Sequence, residues 1–246
     1  MKAIILGAGY ATRLYPLTKN FPKALLPISK DKPILNYILE QLEKIEAITE
    51  VYIVTNSKFY SFFEDWEKVF KNSFSKTIKL LNNGTKTEED RLGAIGDIDF
   101  VINKNGIEED TVIIAGDNFF DFSLLEVYKY FEEMKKDTVC TMEIFEKEKL
   151  KGMGVAKLDK NNKIIELIEK PKNPQSNNAV FAIYFYKKET IALFKKYLKE
   201  GNPKDAPGYF LSWLHKKEDV LAFKIKGICY DIGTLESYEQ VRGLYE

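Results

Sequence analysis

The feature that most restricts how this chain can fold is an alternation of two kinds of apolar segment. Ala3 to Leu6, Val51 to Thr55, Thr77 to Leu81 and Thr111 to Ala115 are short runs rich in Val, Ile and Leu. Such runs form strands apolar on both faces, which have to be covered from two sides. The segments between them have the helical period and one apolar face. From Ile34 to Ile45, residues Ile34, Leu35, Ile38, Leu42 and Ile45 share one side, while Glu40, Gln41, Glu43 and Lys44 take the other. Phe59 to Phe70 and Leu124 to Met134 follow the same rule. Two-sided strands alternating with one-sided helices predict an α/β fold, a largely parallel sheet with helices on both faces.

The second half changes character. Val139 to Phe145, Gly154 to Leu158, Ile164 to Glu169 and Ala179 to Tyr186 are expected strands, with turn-forming residues such as Asp159-Lys160-Asn161-Asn162 between some of them, so antiparallel additions make the sheet mixed. Helices are expected again at Glu189 to Lys199, around Tyr209 to Lys216 and at the C-terminus. With no low-complexity linker, fixed-period repeat or break in composition, one domain over residues 1–246 is the expectation.

Composition narrows the partners. Of 246 residues, 45% are apolar, enough for a full core, and 37 Lys plus Arg balance 37 Asp plus Glu. A net charge of zero gives no global attraction to nucleic acid or to an anionic membrane, so any basic function has to be local. The apolar run at Met1 to Leu6 is too short for a secretion signal or a membrane span. Cys140 and Cys229 each sit in an apolar stretch, as reduced thiols of a cytoplasmic protein do, and a disulfide framework or zinc site is not expected.

The chemistry starts where the first strand ends. Leu6-Gly7-Ala8-Gly9-Tyr10-Ala11-Thr12-Arg13-Leu14 is a loop of small residues that lets backbone N–H groups approach an anion such as a nucleotide phosphate. A tight strand-to-helix turn would also call for glycine, so the loop alone decides little. A dinucleotide-binding loop would carry a third Gly or Ala at Thr12 and lead into an unbroken helix, whereas Pro16 and Pro22 keep this segment irregular. Arg13 and Lys23 flank the excursion, a fork and a point charge that could clamp a polyphosphate.

Gly7 to Leu14, followed by Pro16, Thr18, Pro22-Lys23 and Leu25-Leu26, resembles the signature of the sugar-1-phosphate nucleotidyltransferases, which include the glucose-1-phosphate thymidylyl- and uridylyltransferases. The resemblance implies a three-layer α/β/α, Rossmann-like nucleotidyltransferase fold. It also implies a nucleotide-binding half over about 1–120 and a sugar-phosphate-binding half over about 121–246. Arg13 and Lys23 match the family's catalytic pair, and Leu6, Gly7, Ala8, Gly9, Tyr10, Ala11 and Thr12 match its nucleotide loop.

Asp117 follows the strand Thr111 to Ala115, at the carboxyl end where α/β sheets hold their ligands, and a hard carboxylate there suits Mg²⁺. Asp231, in Tyr230-Asp231-Ile232-Gly233-Thr234, resembles the family's second metal-binding aspartate. Plainer readings are an Asx turn for Asp117 and a helix cap for Asp231. Glu169-Lys170-Pro171 resembles the family's Glu-Lys-Pro motif, which assigns sugar hydroxyls to Glu169 and the 1-phosphate to Lys170. Asn118, Gly154, Val180 and Tyr184 complete the implied sugar site.

For the base, Gly93 matches a glycine-alanine step, and Asn82 or Asn83 could pair a pyrimidine edge, although a simple turn at Asn83-Gly84 serves equally well. Arg91 is open between a salt bridge and a phosphate contact. Met153 and Phe181-Ala182 depart from the family pattern beside the sugar. The expectation is therefore Mg²⁺-dependent transfer from a nucleoside triphosphate, dTTP or UTP favoured, to a sugar 1-phosphate, glucose 1-phosphate first, with no nucleic acid or membrane partner and homo-oligomers allowed. The alternatives are a guanylyl- or cytidylyltransferase acting on another phosphorylated sugar or alcohol, and a non-catalytic sensor of nucleotide sugars. The lone His215, with no Ser/His/Asp set, agrees with catalysis by positioning and charge.

Overall fold

The four two-sided runs come together as neighbours. The computed structural model describes residues 1–245, Lys71 by its backbone alone. The first half contains β1 (Lys2–Leu6), β2 (Pro27–Ser29), β3 (Lys32–Pro33), α1 (Ile34–Glu43), β4 (Glu50–Thr55), α2 (Tyr60–Phe70), β5 (Thr77–Asn82), α3 (Ala94–Asn105) and β6 (Thr111–Ala115). Then come β7 (Asn118–Phe120), α4 (Leu124–Met134), β8 (Asp137–Glu143), α5 (Lys147–Leu150), β9 (Gly154–Leu158), β10 (Ile164–Glu169) and β11 (Asn178–Tyr186). The chain closes with α6 (Lys188–Ile191), α7 (Leu193–Lys199), α8 (Pro207–Leu214), β12 (Val220–Lys224), β13 (Cys229–Asp231) and α9 (Leu235–Arg242).

Strands β6, β1, β4 and β5 are parallel in that order. Their residues alternate between two cores, as apolar character on both faces demands. Ala3, Ile5, Val51, Ile53, Val112 and Ile114 pack with α1, α2 and α4 on one side. Ile4, Tyr52, Val54 and Ile113 pack with α3, α7 and α8 on the other. The expected three layers and mixed, mainly parallel sheet are thus present. Among the described residues no helix is long and apolar enough to cross a membrane.

The antiparallel part opens the sheet where it matters. One edge of β11 is taken by β8, which in turn pairs with β12. The other edge is shared between β9, opposite Asn178–Val180, and β6, opposite Ile183–Tyr186. Phe181 and Ala182 fall between those two ladders, so the sheet splits there.

Several local expectations are corrected. The helix expected over Glu189 to Lys199 breaks at Ala192 into α6 and α7. That expected around Tyr209 begins two residues earlier, at Pro207, because proline's fixed φ and missing N–H suit a first helical position. Helix α3 and strands β7, β12 and β13 were not anticipated. Cys140 and Cys229 are free and buried, and burial pushes both thiols above their ordinary pKa.

Candidate active site

The loop after β1 is held from behind. Gly7 N–H donates to the Val54 carbonyl at 2.8 Å, and a side chain at Gly7 would press on the Phe63 ring, 3.1 Å from its Cβ position. Gly7 is therefore a packing glycine and does not line the cleft. The carbonyl of Ala8 accepts from the Asn56 amide at 2.9 Å, and Asn56 is fully buried. Gly9 by contrast has no neighbour within 4 Å of its Cβ position, so its backbone is open to a ligand. Ala11, at φ 50°, turns the chain into a single 3-10 turn, Thr12–Leu14. The early stop is what Pro16 and Pro22 led us to expect.

Leu6, Ala8 to Arg13 and Lys23 form one wall of a cleft of about 720 Å³. At its floor Lys23 forms an ion pair with Asp117, just beyond β6. The short strands β7 and β13 pair antiparallel with Asp231 opposite Asn118, and Ile232 N–H donates to the Asp117 carbonyl at 3.1 Å. That ladder seats the two aspartates together. Asp231 is exposed to the cleft, yet the protein crowded around it, followed by the Asp117 charge, raises its pKa. Lys23, Arg13 and Lys170 act in the opposite direction, so all five charged groups share one field. The cap reading of Asp231 does not hold. The cap of α9 is Thr234, in a capping box with Ser237, and Asp117 engages Lys23 across the cleft.

The other end is built on a single row across the sheet, Glu169 on β10, Gly154 on β9 and Val180 on β11. A side chain at Gly154 would meet the Glu169 carboxylate at 3.0 Å and Val180 at 3.3 Å. Gly208, in the first turn of α8, has the same role from above, since a Cβ there would run into the Glu169 carboxylate. Burial raises the Glu169 pKa, and Lys170 offsets part of the rise. Lys170 has a left-handed backbone at φ 50°, with its N–H on the Met153 carbonyl at 3.0 Å. Asn118 is buried and donates to the Ala182 carbonyl at 3.2 Å. Tyr184, buried and stacked on Tyr186 with centroids 5.6 Å apart, closes the wall.

Of the site residues singled out from sequence, Gly7, Asn82 and Asn83 lie off the cleft, and the others line it. Asn83 spends its amide inside the protein. Its Oδ1 accepts from Thr85 N–H at 2.9 Å and from Thr85 Oγ1 at 2.8 Å, and its Nδ2 donates to Asp97 at 2.7 Å. Arg91 makes an exposed pair with Asp205 at 3.2 Å, the salt-bridge alternative. Asp97, Asp205 and Gly208 line the cleft without having been anticipated. Asp97 follows Gly93 by four residues, one helical turn, a spacing that could have marked it as sharing the face of the glycine-alanine step.

Across residues 2–246 the chain matches the family model described as nucleotidyl transferase. The chain belongs to the nucleotidyl transferase family. Within it, the bifunctional protein GlmU of Methanocaldococcus jannaschii is 34% identical over 234 residues, 95% of this chain and 51% of that protein. A Sulfolobus acidocaldarius protein provisionally named a mannose-1-phosphate guanyltransferase is 30% identical over 98% of this chain and 62% of its own length. The glucose-1-phosphate thymidylyltransferase of Neisseria meningitidis is 28% identical, over 98% of this chain and 81% of its own. The chain thus spans about half the length of the GlmU relative. A UDP-glucose pyrophosphorylase solved with UDP-glucose superposes with a TM-score of 0.83 at 24% identity, covering 99% of this chain and 97% of that one, a likeness of fold.

Proposed function

We propose that this chain catalyses Mg²⁺-dependent transfer of a nucleotidyl group from a nucleoside triphosphate to a sugar 1-phosphate, releasing pyrophosphate. The supporting observation is that Arg13, Lys23, Asp117, Lys170 and Asp231, drawn from the whole length of the chain, surround one cleft under an open backbone loop. In the reaction a phosphate oxygen of the sugar bonds to the α-phosphorus. The bond from that phosphorus to the bridging oxygen breaks, and its electron pair leaves with pyrophosphate. The nucleophile is already an anion, so the task is to bring two anions together in line.

Each cation has a place in that task. Arg13 can take two phosphate oxygens with its fork, Lys23 acts as a point charge at the floor, and Lys170 receives the sugar phosphate. Glu169 accepts from sugar hydroxyls, and the small residues Gly154, Ala182 and Gly208 leave room for a hexose ring beside it. Glucose 1-phosphate is the acceptor that the resemblance names.

Asp117 and Asp231 would hold the Mg²⁺. Burial first and the Asp117 charge second raise the Asp231 pKa, and a divalent cation would relieve both. Among the described residues no group of three or more His, Cys, Asp or Glu is arranged for a metal, and two carboxylates suit an ion that keeps water and phosphate oxygens. When bound, the ion supplies charge neutralisation on the triphosphate. The test is a matrix of nucleoside triphosphates against sugar 1-phosphates with Mg²⁺, read by pyrophosphate release. No release with any pair sinks the proposal, as does full activity in Asp117→Ala.

A further inference from the structure

The wall facing the phosphate-binding loop contains a buried acid that the transfer chemistry does not use. Asp97, in the first turn of α3, is 7% exposed, and it lines the cleft. Its Oδ1 accepts from Asn83 Nδ2 at 2.7 Å. The orientation of that amide is forced. The Thr85 backbone N–H, which can only donate, takes Asn83 Oδ1 at 2.9 Å, so the NH₂ group has to face Asp97. Tyr10, from the phosphate loop, reaches the same Thr85 through its hydroxyl at 3.5 Å. The chain of donors from Tyr10 through Thr85 and Asn83 therefore ends on one carboxylate.

A structural tie between α3 and the 82–85 loop would need only a neutral acceptor. An ionised carboxylate has about four acceptor sites, and burying one behind a single neutral amide is costly. Burial accordingly raises the pKa of Asp97 to about 6, against the Asn83 hydrogen bond and the Lys204 charge. The remaining acceptor capacity faces the cleft. Phosphates are repelled there, so the occupant has to bring N–H donors.

We propose that Asp97 reads the base of the bound nucleotide and that its carboxylate selects guanine. This rests on the nucleotidyl-transfer reading, in that the cleft is taken to hold a nucleotide. Guanine presents its ring N–H and its amino group side by side, a pair of donors matched to a carboxylate. Uracil and thymine present one N–H between two carbonyl oxygens, which the carboxylate repels. Cytosine and adenine fall between, each with an amino group beside a ring acceptor.

The experiment measures binding of GTP, UTP, dTTP, CTP and ATP to the intact chain with Mg²⁺ by calorimetry, for the wild type and for Asp97→Asn and Asp97→Ala. Pyrophosphate release with a sugar 1-phosphate panel is measured in parallel. Asn at 97 keeps an acceptor for Asn83 and can turn an amino group toward the base. The wild type is expected to bind GTP at least tenfold more tightly than UTP or dTTP. Asp97→Asn should lower the GTP-to-UTP affinity ratio at least tenfold, with UTP binding unchanged or tighter.

Equal binding of UTP and GTP by the wild type overturns the assignment. So does an unchanged ratio in both variants, an equal weakening of every nucleotide, which a merely structural role predicts, or no binding of any nucleotide. GTP preference dependent on Asp97 without pyrophosphate release overturns the transfer reading and leaves the base assignment standing. Release that is fastest with UTP or dTTP does the reverse.

Discussion

The two ends of the nucleotide wall handle charge in opposite ways. At the phosphate end, Arg13, Lys23, Asp117, Lys170 and Asp231 meet in one cleft, where they offset one another. At the α3 end, Asp97 is buried behind neutral groups, Asn83, Thr85 and Tyr10. The first arrangement suits groups that have to bind charge arriving with the substrate, and its three cations offset part of the cost that burial and the Asp117 charge impose on Asp231. The second places a desolvated charge beside the ligand before it arrives. Such a charge discriminates strongly between partners and lowers stability while it waits.

The largest test of this contrast is at the phosphate end. Lys23→Ala and Asp117→Ala are each expected to lower kcat for pyrophosphate release by roughly 10²–10³-fold, the effect of losing one preorganised charge at a reacting phosphate. Melting temperatures should move far less than activity, because Asp231 stays beside Lys23 in Asp117→Ala, and Arg13 and Lys170 still offset the aspartates in Lys23→Ala. A large loss of stability in either variant would mean that the phosphate end is also a structural ion cluster.

Lys170→Ala should act on one substrate only. Its kcat/KM for the sugar phosphate is expected to fall by roughly ten- to a hundredfold, with nucleotide affinity unchanged by calorimetry. Equal loss of affinity for both substrates would contradict the separation of Lys170 from the nucleotide half.

At the α3 end the contrast predicts a pH signature in stability. The carboxyl of Asp97 has a pKa of about 6 in the folded chain against an ordinary value of 3.8. The folded chain therefore holds a proton that the unfolded chain has lost between those values, and this group's contribution falls as pH rises from about 4 through 6. Two units correspond to about 3 kcal/mol. Asp97→Asn should thus be more stable than the wild type at pH 7.5 by up to that amount, and the difference should shrink toward pH 4. Chemical denaturation at both pH values measures it, and a constant difference would show that folding does not raise the Asp97 pKa.

The smallest expected effect is at Gly208. Gly208→Ala places a methyl against the Glu169 carboxylate and should raise KM for the sugar phosphate roughly tenfold, at a stability cost of about 1–3 kcal/mol. An unchanged KM would show that Glu169 can move aside without loss of the sugar.

Segments with strong, local patterns were legible in the sequence. Thr111–Ala115, Leu124–Met134, Gly154–Leu158 and Ile164–Glu169 have in the structure the bounds that their apolar periods predict. Helix α3 was not singled out, because Gly96, Asp97 and Asp99 are weak helix formers, although Ile95, Ile98 and Val101 have the helical spacing. Strands β7 and β13, three residues each, have no period to read, and each is a strand only because the other lies beside it. The residues proposed for chemistry stood out by motif, whereas Asn83, chosen for its amide, is turned inward by Thr85.

The sequence by itself determined the layered α/β architecture, the family resemblance and the phosphate end of the cleft, since periodicity and short motifs are properties of neighbouring residues. Only the tertiary structure decided that the β7–β13 ladder seats Asp231 beside Asp117, that Gly208 closes on Glu169, and that Asp97 is an acid buried beside the cleft. Burial, the direction of an amide and a raised pKa depend on what packs against a residue from distant parts of the chain. For that reason the base-reading carboxylate proposed here looks, in the sequence, like any other acid on a helix.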